Sequence, residues 1–218
     1  MTSSDPNEWG HGDKNSVSIS GNGNRIAIGI SRYSGPTTDL INCGRVVVFE
    51  WDGANWVQMG SQIQGLAYYD YFGKAIKLSS DGNRLVTGTG FSDVGITTNV
   101  SYDAGQVRVF EWDGSNWVQL GNSINGSYND QFFGEFVFIN GDGNIIASIN
   151  AYNNFGQNNA TLDIYEWNGT SWLSKGSRNV RRGSDVDFNS SGDKIAIRLS
   201  NGDIQIFDCS NSNWIQLG

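Results

Sequence analysis

Short runs of alternating hydrophobic and polar residues, each closed by a glycine-bearing turn, fill the chain from Val17 onward. In residues 107–121, VRVFEWDGSNWVQLG, Val107 and Val109 fall on one face and Arg108 and Phe110 on the other. That is the two-residue period of a half-buried strand. Asp113-Gly114 supplies the positive-φ positions of a tight turn, and Trp117-Val118-Gln119-Leu120 begins the return strand. The stretch predicts one β-hairpin, and near-copies stand at 46–60, 162–176 and 204–218. A second hairpin precedes each, at 17–30, 76–89, 137–150 and 186–199. The repeating unit is therefore four strands, A to D in chain order.

The turn glycines Gly23, Gly82, Gly143 and Gly192 recur after 59, 61 and 49 residues. Four antiparallel strands at that spacing predict a propeller blade, and no 3.6-residue periodicity is long enough to compete. The expected fold is all-β: a β-propeller of four four-stranded antiparallel blades forming a four-bladed ring. Residues 1–13 match no repeat. Residues 14–218 form one propeller domain, with blades at about 14–60, 61–121, 122–176 and 177–218. Strand A opens every repeat and strand D closes it, so no early Trp-x-Gln-x-Gly strand exists to complete the last blade. Closure without a shared blade is the expected solution; pairing of two copies, or a place within a longer propeller, are the alternatives.

Two of the repeats are entered through a common motif, Asp70-Tyr71-Phe72-Gly73 and Asp130-Gln131-Phe132-Phe133-Gly134. With the Ser-x-Asp-Gly-Asn turn and a Gly-x-Val-x-Val-Phe strand, these resemble FG-GAP repeats, which build the propellers of integrin α-subunits and of many surface proteins. The resemblance spans residues 10–218 and is strongest in the second unit. It implies a surface-associated or extracellular binding or adhesion module. The family's calcium loop is missing, because the equivalent turns read SGNGN, SSDGN, NGDGN and SSGDK. One or two carboxylates per turn are too few for a hard cation, so no metal site is expected.

Composition narrows the partners. A net charge of −8 argues against nucleic acid and against an anionic membrane surface. No apolar run approaches a membrane span, and the N-terminus lacks a signal-peptide layout. Five Asn-x-Ser/Thr triplets suit an exported chain but arise readily in one so rich in Asn and Ser. Cys43, before strand C, and Cys209, at a C–D turn, fall at opposite ends of their blades and are expected to be free thiols. The single histidine, His11, sits outside the repeats, and no nucleophile motif or metal-ligand spacing accompanies it. No enzyme activity and no cofactor are expected.

The B–C and D–A connections are long and variable and share one end of every blade, where function on a rigid scaffold concentrates. That end carries Tyr68, Tyr69, Asp70, Tyr71, Asp93, Tyr102, Asp103, Tyr128 and Asp130, a mixture suited to protein or glycan recognition. The tryptophan pairs flanking each C–D turn are read as structural staples. Arg178, Arg181 and Arg182 replace the aromatic-acidic pattern in a shortened fourth connection, and Arg198 puts a charge where other blades carry small or apolar residues. These four arginines are candidates for assembly. The expected function is a non-catalytic module binding a protein partner through the long-loop face. A structural subunit of a fibre, appendage or virion, self-assembling through blade edges, and a carbohydrate-binding lectin are the alternatives.

Overall fold

The computed structural model describes residues 16–93, 103–150, 159–181, 185–199, 201–210 and 214–217. The strands fall into four antiparallel sheets. Blade one holds β1 (Val17–Ile19), β2 (Arg25–Ile30), β3 (Arg45–Trp51), β4 (Trp56–Gln58) and β5 (Ile63–Gln64). Blade two holds β6 (Ala75–Leu78), β7 (Arg84–Thr89), β8 (Gln106–Trp112), β9 (Trp117–Gln119) and β10 (Ile124–Asn125). Blade three holds β11 (Phe136–Ile139), β12 (Ile145–Asn150), β13 (Asn159–Trp167) and β14 (Trp172–Arg181). Blade four holds β15 (Asp185–Phe188), β16 (Lys194–Arg198), β17 (Ile204–Asp208) and β18 (Ile215–Gln216). This is the predicted all-β, four-bladed, propeller-like fold.

The turns form because side chains satisfy their backbone donors locally. At each A–B turn one polar side chain accepts the N–H five residues on: Ser20 from Arg25 and Ser79 from Arg84 at 3.0 Å, Asn140 from Ile145 at 2.8 Å, Asn189 from Lys194 at 2.9 Å. At the C–D turns Asp52 Oδ1 accepts from Ala54 and Asn55 N–H, and Asp113 and Asn168 repeat the arrangement. Beside these turns the tryptophans pair as staples, with ring centroids 5.6 Å apart at Trp51/Trp56 and Trp112/Trp117 and 5.4 Å at Trp167/Trp172. Cys43 and Cys209 are buried free thiols.

The core lies between blades. Ala27, Val46 and Val48 of blade one meet Ile76, Leu78, Leu85 and Phe110 of blade two, and the same face pair recurs at the next two seams. The A–B turns are also tied blade to blade: Gly21 N–H donates to Ser80 O at 2.7 Å, Ser80 N–H to Gly141 O at 2.9 Å, and Asp142 N–H to Ser190 O at 3.3 Å. The outward faces of blades one and four, which a closed four-bladed ring would bury, are exposed at Val17, Ile19, Ile204 and Ile206.

Strand D continues past its glycine. Both β4 and β5 pair with β3, both β9 and β10 pair with β8, and in blade three the continuation is one strand, β14. Residues 177–181, expected as a connection, therefore extend the sheet. Arg178 sits in that strand with its guanidinium 3.9 Å from the Phe207 ring centroid, a packing contact rather than a free basic loop. Arg181 ends β14, while Arg182 lies outside the described residues.

Tyr165 occupies the strand position held by Phe110 and Phe207 in the core of blades two and four, and by Phe49 on the open face of blade one. Burial, and then the Asp163 carboxylate, push its phenol up to about 12. The neutral form is thus favoured in the fold, so stability should fall as pH rises from the unfolded value of 10.0 towards 12. Between pH 9 and 11.5 the expected loss is about 2 kcal/mol. Urea unfolding at the two pH values checks this, and Tyr165→Phe should remove the loss. An unchanged pH dependence in the variant would show that other groups cause it.

Candidate functional site

At the long-loop end, B–C and D–A connections are bonded to each other. Tyr69 N–H donates to Ile41 O at 2.9 Å, Tyr71 N–H to Asn42 O at 3.0 Å, and Phe132 N–H to Asp103 O at 2.9 Å. These contacts hold Tyr69, Tyr71, Asp103, Asp130, Asn42 and Phe132 in the left-handed region, with φ between 50° and 58°. An aromatic ladder results: Tyr68–Tyr69 at 4.1 Å, Tyr69–Tyr71 and Tyr71–Phe91 at 5.6 Å, and Phe91–Phe132 at 5.4 Å between centroids. Lys74 caps it, its Nζ 4.1 Å from the Phe91 centroid and 3.5 Å from Glu135 Oε1.

The acids singled out in the sequence divide. Asp70 is buried, and its Oδ2 accepts from Leu66 and Ala67 N–H while Oδ1 accepts from Ser92 Oγ. Burial pushes its carboxyl up against the pull of those bonds and of Arg108. Its acceptor capacity is spent within its own connection and on the neighbouring B–C connection through Ser92. Gln131 takes its place in blade three, accepting from Ser127 N–H. Asp93 accepts Asp103 N–H at 3.0 Å, and the Asp103 carboxyl is raised by burial and by its neighbours Asp93 and Asp130. Among the described residues, no three or more His, Cys, Asp or Glu side chains are placed to hold a metal ion. Tyr128 is exposed, and Tyr102 lies outside the described residues.

A second grouping was not expected. The inner strands β1, β6, β11 and β15 surround an axial space, opening as cavities of about 340 Å³ towards the long loops and about 250 Å³ towards the A–B turns. A third cavity, of about 360 Å³, lies beside blade four. Lys77 lines all three; Asp185 and Asp187 each line two; Lys74, Glu135 and Arg198 complete the charged set. Position on strand A explains the grouping. Ile76 and Leu78 turn into the blade core, so Lys77 between them points away from it, and Val186 and Phe188 leave Asp187 outward in the same way. A charged residue in the middle of an otherwise apolar innermost strand was the available signal.

No protein-family model and no curated protein matches the chain. Solved structures do. A Bacteroides uniformis protein assigned as a 6-phosphogluconolactonase superposes with a TM-score of 0.62 at 12% identity, covering 93% of this chain and 54% of that one. A periplasmic gluconolactonase of Pseudomonas aeruginosa gives 0.55 at 16% identity, covering 93% and 55%. A Bacteroides fragilis protein, also assigned as a 6-phosphogluconolactonase, gives 0.59 at 12%, covering 93% and 52%. The chain thus spans about half the length of these structures, and at such identities the likeness is one of fold.

These findings overturn the FG-GAP resemblance and what hung on it. The Phe-Gly motif that suggested it is explained by blade packing: Phe72 and Phe133 are core plugs, and Gly73 and Gly134 let two backbones meet. At the first two seams the motif thus has a packing reason of its own. The expectations of a non-enzymatic binding or adhesion module, of a structural subunit and of a lectin are corrected with it: the three structures named carry lactonase assignments. Among the described residues, no helix is long and apolar enough to cross a membrane. The similarity of this chain is therefore one of fold, to about half the length of solved structures that carry lactonase assignments.

Proposed function

We propose that the chain forms part of a propeller hydrolase that opens a small anionic sugar lactone in its axial space, outside the cytoplasm. The observation that carries this reading is Lys77, which shares the axial cavities with Asp185 and Asp187. Lactone opening needs little more than this set. A carboxylate of Asp185 or Asp187 takes a proton from water, whose oxygen attacks the carbonyl carbon. The Lys77 ammonium stabilises the negative charge that develops on the carbonyl oxygen. When the ring C–O bond breaks, the departing alkoxide takes the proton back, so one lactone and one water give one hydroxy acid. Lys74 at the rim favours a substrate bearing a carboxylate or phosphate. The periplasmic neighbour supports the compartment.

The test is acid release from glucono-δ-lactone and its 6-phosphate, measured against the spontaneous rate. Asp187→Asn and Asp185→Asn should between them identify a base, with one lowering kcat by roughly 100-fold or more. Lys77→Met should lower kcat/KM by a similar factor. Hydrolysis no faster than in buffer, or full activity in all three variants, would refute the proposal.

A further inference from the structure

We infer that two copies of this chain close one ring, the outward face of blade four in each copy packing against the outward face of blade one in the other. This goes beyond the proposed activity and does not depend on it. Each seam within the chain joins the same two kinds of face. The following blade offers an aliphatic, a Phe or Tyr, and a Trp or Cys: Leu85, Phe110 and Trp112 in blade two, and Ile195, Phe207 and Cys209 in blade four. The aliphatic and the phenylalanine of both sets are buried. Blade one presents the same set, Ile26, Phe49 and Trp51, but with no blade packed on it: Trp51 is 40% exposed and the adjoining Val17 and Ile19 are 72% and 61% exposed.

The complementary face is repeated just as closely. Val46 and Val48 of blade one and Val107 and Val109 of blade two are buried by the next blade, whereas their counterparts Ile204 and Ile206 in blade four are 69% and 43% exposed. Polar contacts follow the same rule. Arg25 donates to Asn83 Oδ1 of blade two, and Arg84 Nη1 donates to Gly143 O of blade three at 3.2 Å. Lys194 stands at the position of those arginines, and Asn24 at that of Asn83. Lys194 of one copy would thus reach the A–B turn of the other.

Arg198 stands where blades one and two carry a glycine. Its counterparts Gly29 and Gly88 make room for the backbone of Gly73 and Gly134 in the next blade. In blade three the counterpart is Ile149, which is buried at the seam with blade four, so a side chain at this position is compatible with a following blade. Curvature agrees: the solved propellers that superpose on 93% of this arc are nearly twice as long, matching it over 52–55% of their length. Two such arcs would together span about the length of these structures. Each seam is heterologous, and a two-fold axis closes the pair.

Light scattering after size exclusion, at two concentrations, tests this with the whole chain. The expected mass is twice the chain mass of 23.8 kDa. Ile204→Glu and Ile19→Glu, both at positions exposed in the single chain, should each weaken dimerisation at least 100-fold, with near-UV circular dichroism confirming that the blades remain folded. An equimolar mixture of the two variants should recover dimer, because a mixed pair contains one seam with neither substitution. A monomer at both concentrations, species larger than a dimer, a dimer indifferent to both substitutions, or no recovery in the mixture would each overturn the inference. The mass readout is independent of lactone turnover, so a failed activity assay leaves it intact.

Discussion

Alanine at Gly88 is expected to cost the fold at least about 3 kcal/mol, enough to lower the melting temperature by roughly 6–12 °C. Gly88 lies within β7 with ordinary strand geometry, so the backbone itself tolerates a side chain. The obstacle is across the seam. A Cβ there would stand 2.1 Å from Gly134 O and 2.8 Å from both Gly134 C and Val137 Cγ1. The first two are backbone atoms of the next blade, held by the Phe133 N–H bond to Ala104 O and by the Gly134 N–H bond to Ser148 Oγ. Relief requires blades two and three to separate along the whole seam. Gly29→Ala should behave alike, since its Cβ would lie 1.9 Å from Gly73 O. Gly114→Ala is the informative contrast, because its surroundings are open and only its φ of +101° is strained, worth roughly 1–2 kcal/mol. Chemical denaturation of the three variants decides; equal costs for all of them would refute the close-approach argument.

Truncating Phe133 to alanine should cost about 3–5 kcal/mol, the range for deleting a buried aromatic ring and leaving its cavity. Phe133 is 2% exposed and sits among Val86, Val107, Val109, Val137 and Ile146. Its ring meets Tyr165 edge-on at 6.2 Å, an arrangement that adds to simple burial. The surrounding side chains belong to two blades joined by hydrogen-bonded ladders, so they cannot collapse into the gap. Phe72→Ala should cost as much, its ring being equally buried and 6.1 Å from Phe110. Phe132→Ala, one residue earlier, removes a ring that packs on Phe91 at the loop surface and should cost about 1 kcal/mol. A loss below about 1 kcal/mol at Phe133 would mean that the plug does not hold the seam, and the calorimetric midpoint of each variant gives the answer directly.

The second prediction concerns a residue that first drew notice in a motif, the first the glycine that faces that motif across the seam, and both are parts of one packing device. Phe133-Gly134 places a ring in the core and, at the next position, removes the side chain that would keep two backbones apart. The motif was legible in the sequence. Its reason for existing was not, because the partner of Gly134 is Gly88, 46 residues earlier in the chain and on another blade. Reading the motif as a family signature, rather than as a steric requirement of the first two seams, led to a binding role that the comparisons overturned.

Local rules carried the blades. Alternation set which residues of β8 face each seam, Asp and Asn side chains set the C–D turns, and repetition set four units, since each of these depends on residues within one hairpin. The inner position of Lys77, Asp185 and Asp187 follows from strand order as well, but the space they share exists only once three blades are set around an axis. Asp70 shows the converse. It looked like a loop-tip ligand, yet it is buried between two connections, bonded to Leu66 and Ala67 of its own and to Ser92 of the next. Nearest-neighbour chemistry, which is written along the chain, specified strands, turns and blade count. The burial of Asp70, the convergence of charge on the axis and the two open end faces arise from how blades meet, across separations at which sequence pattern carries no distance information.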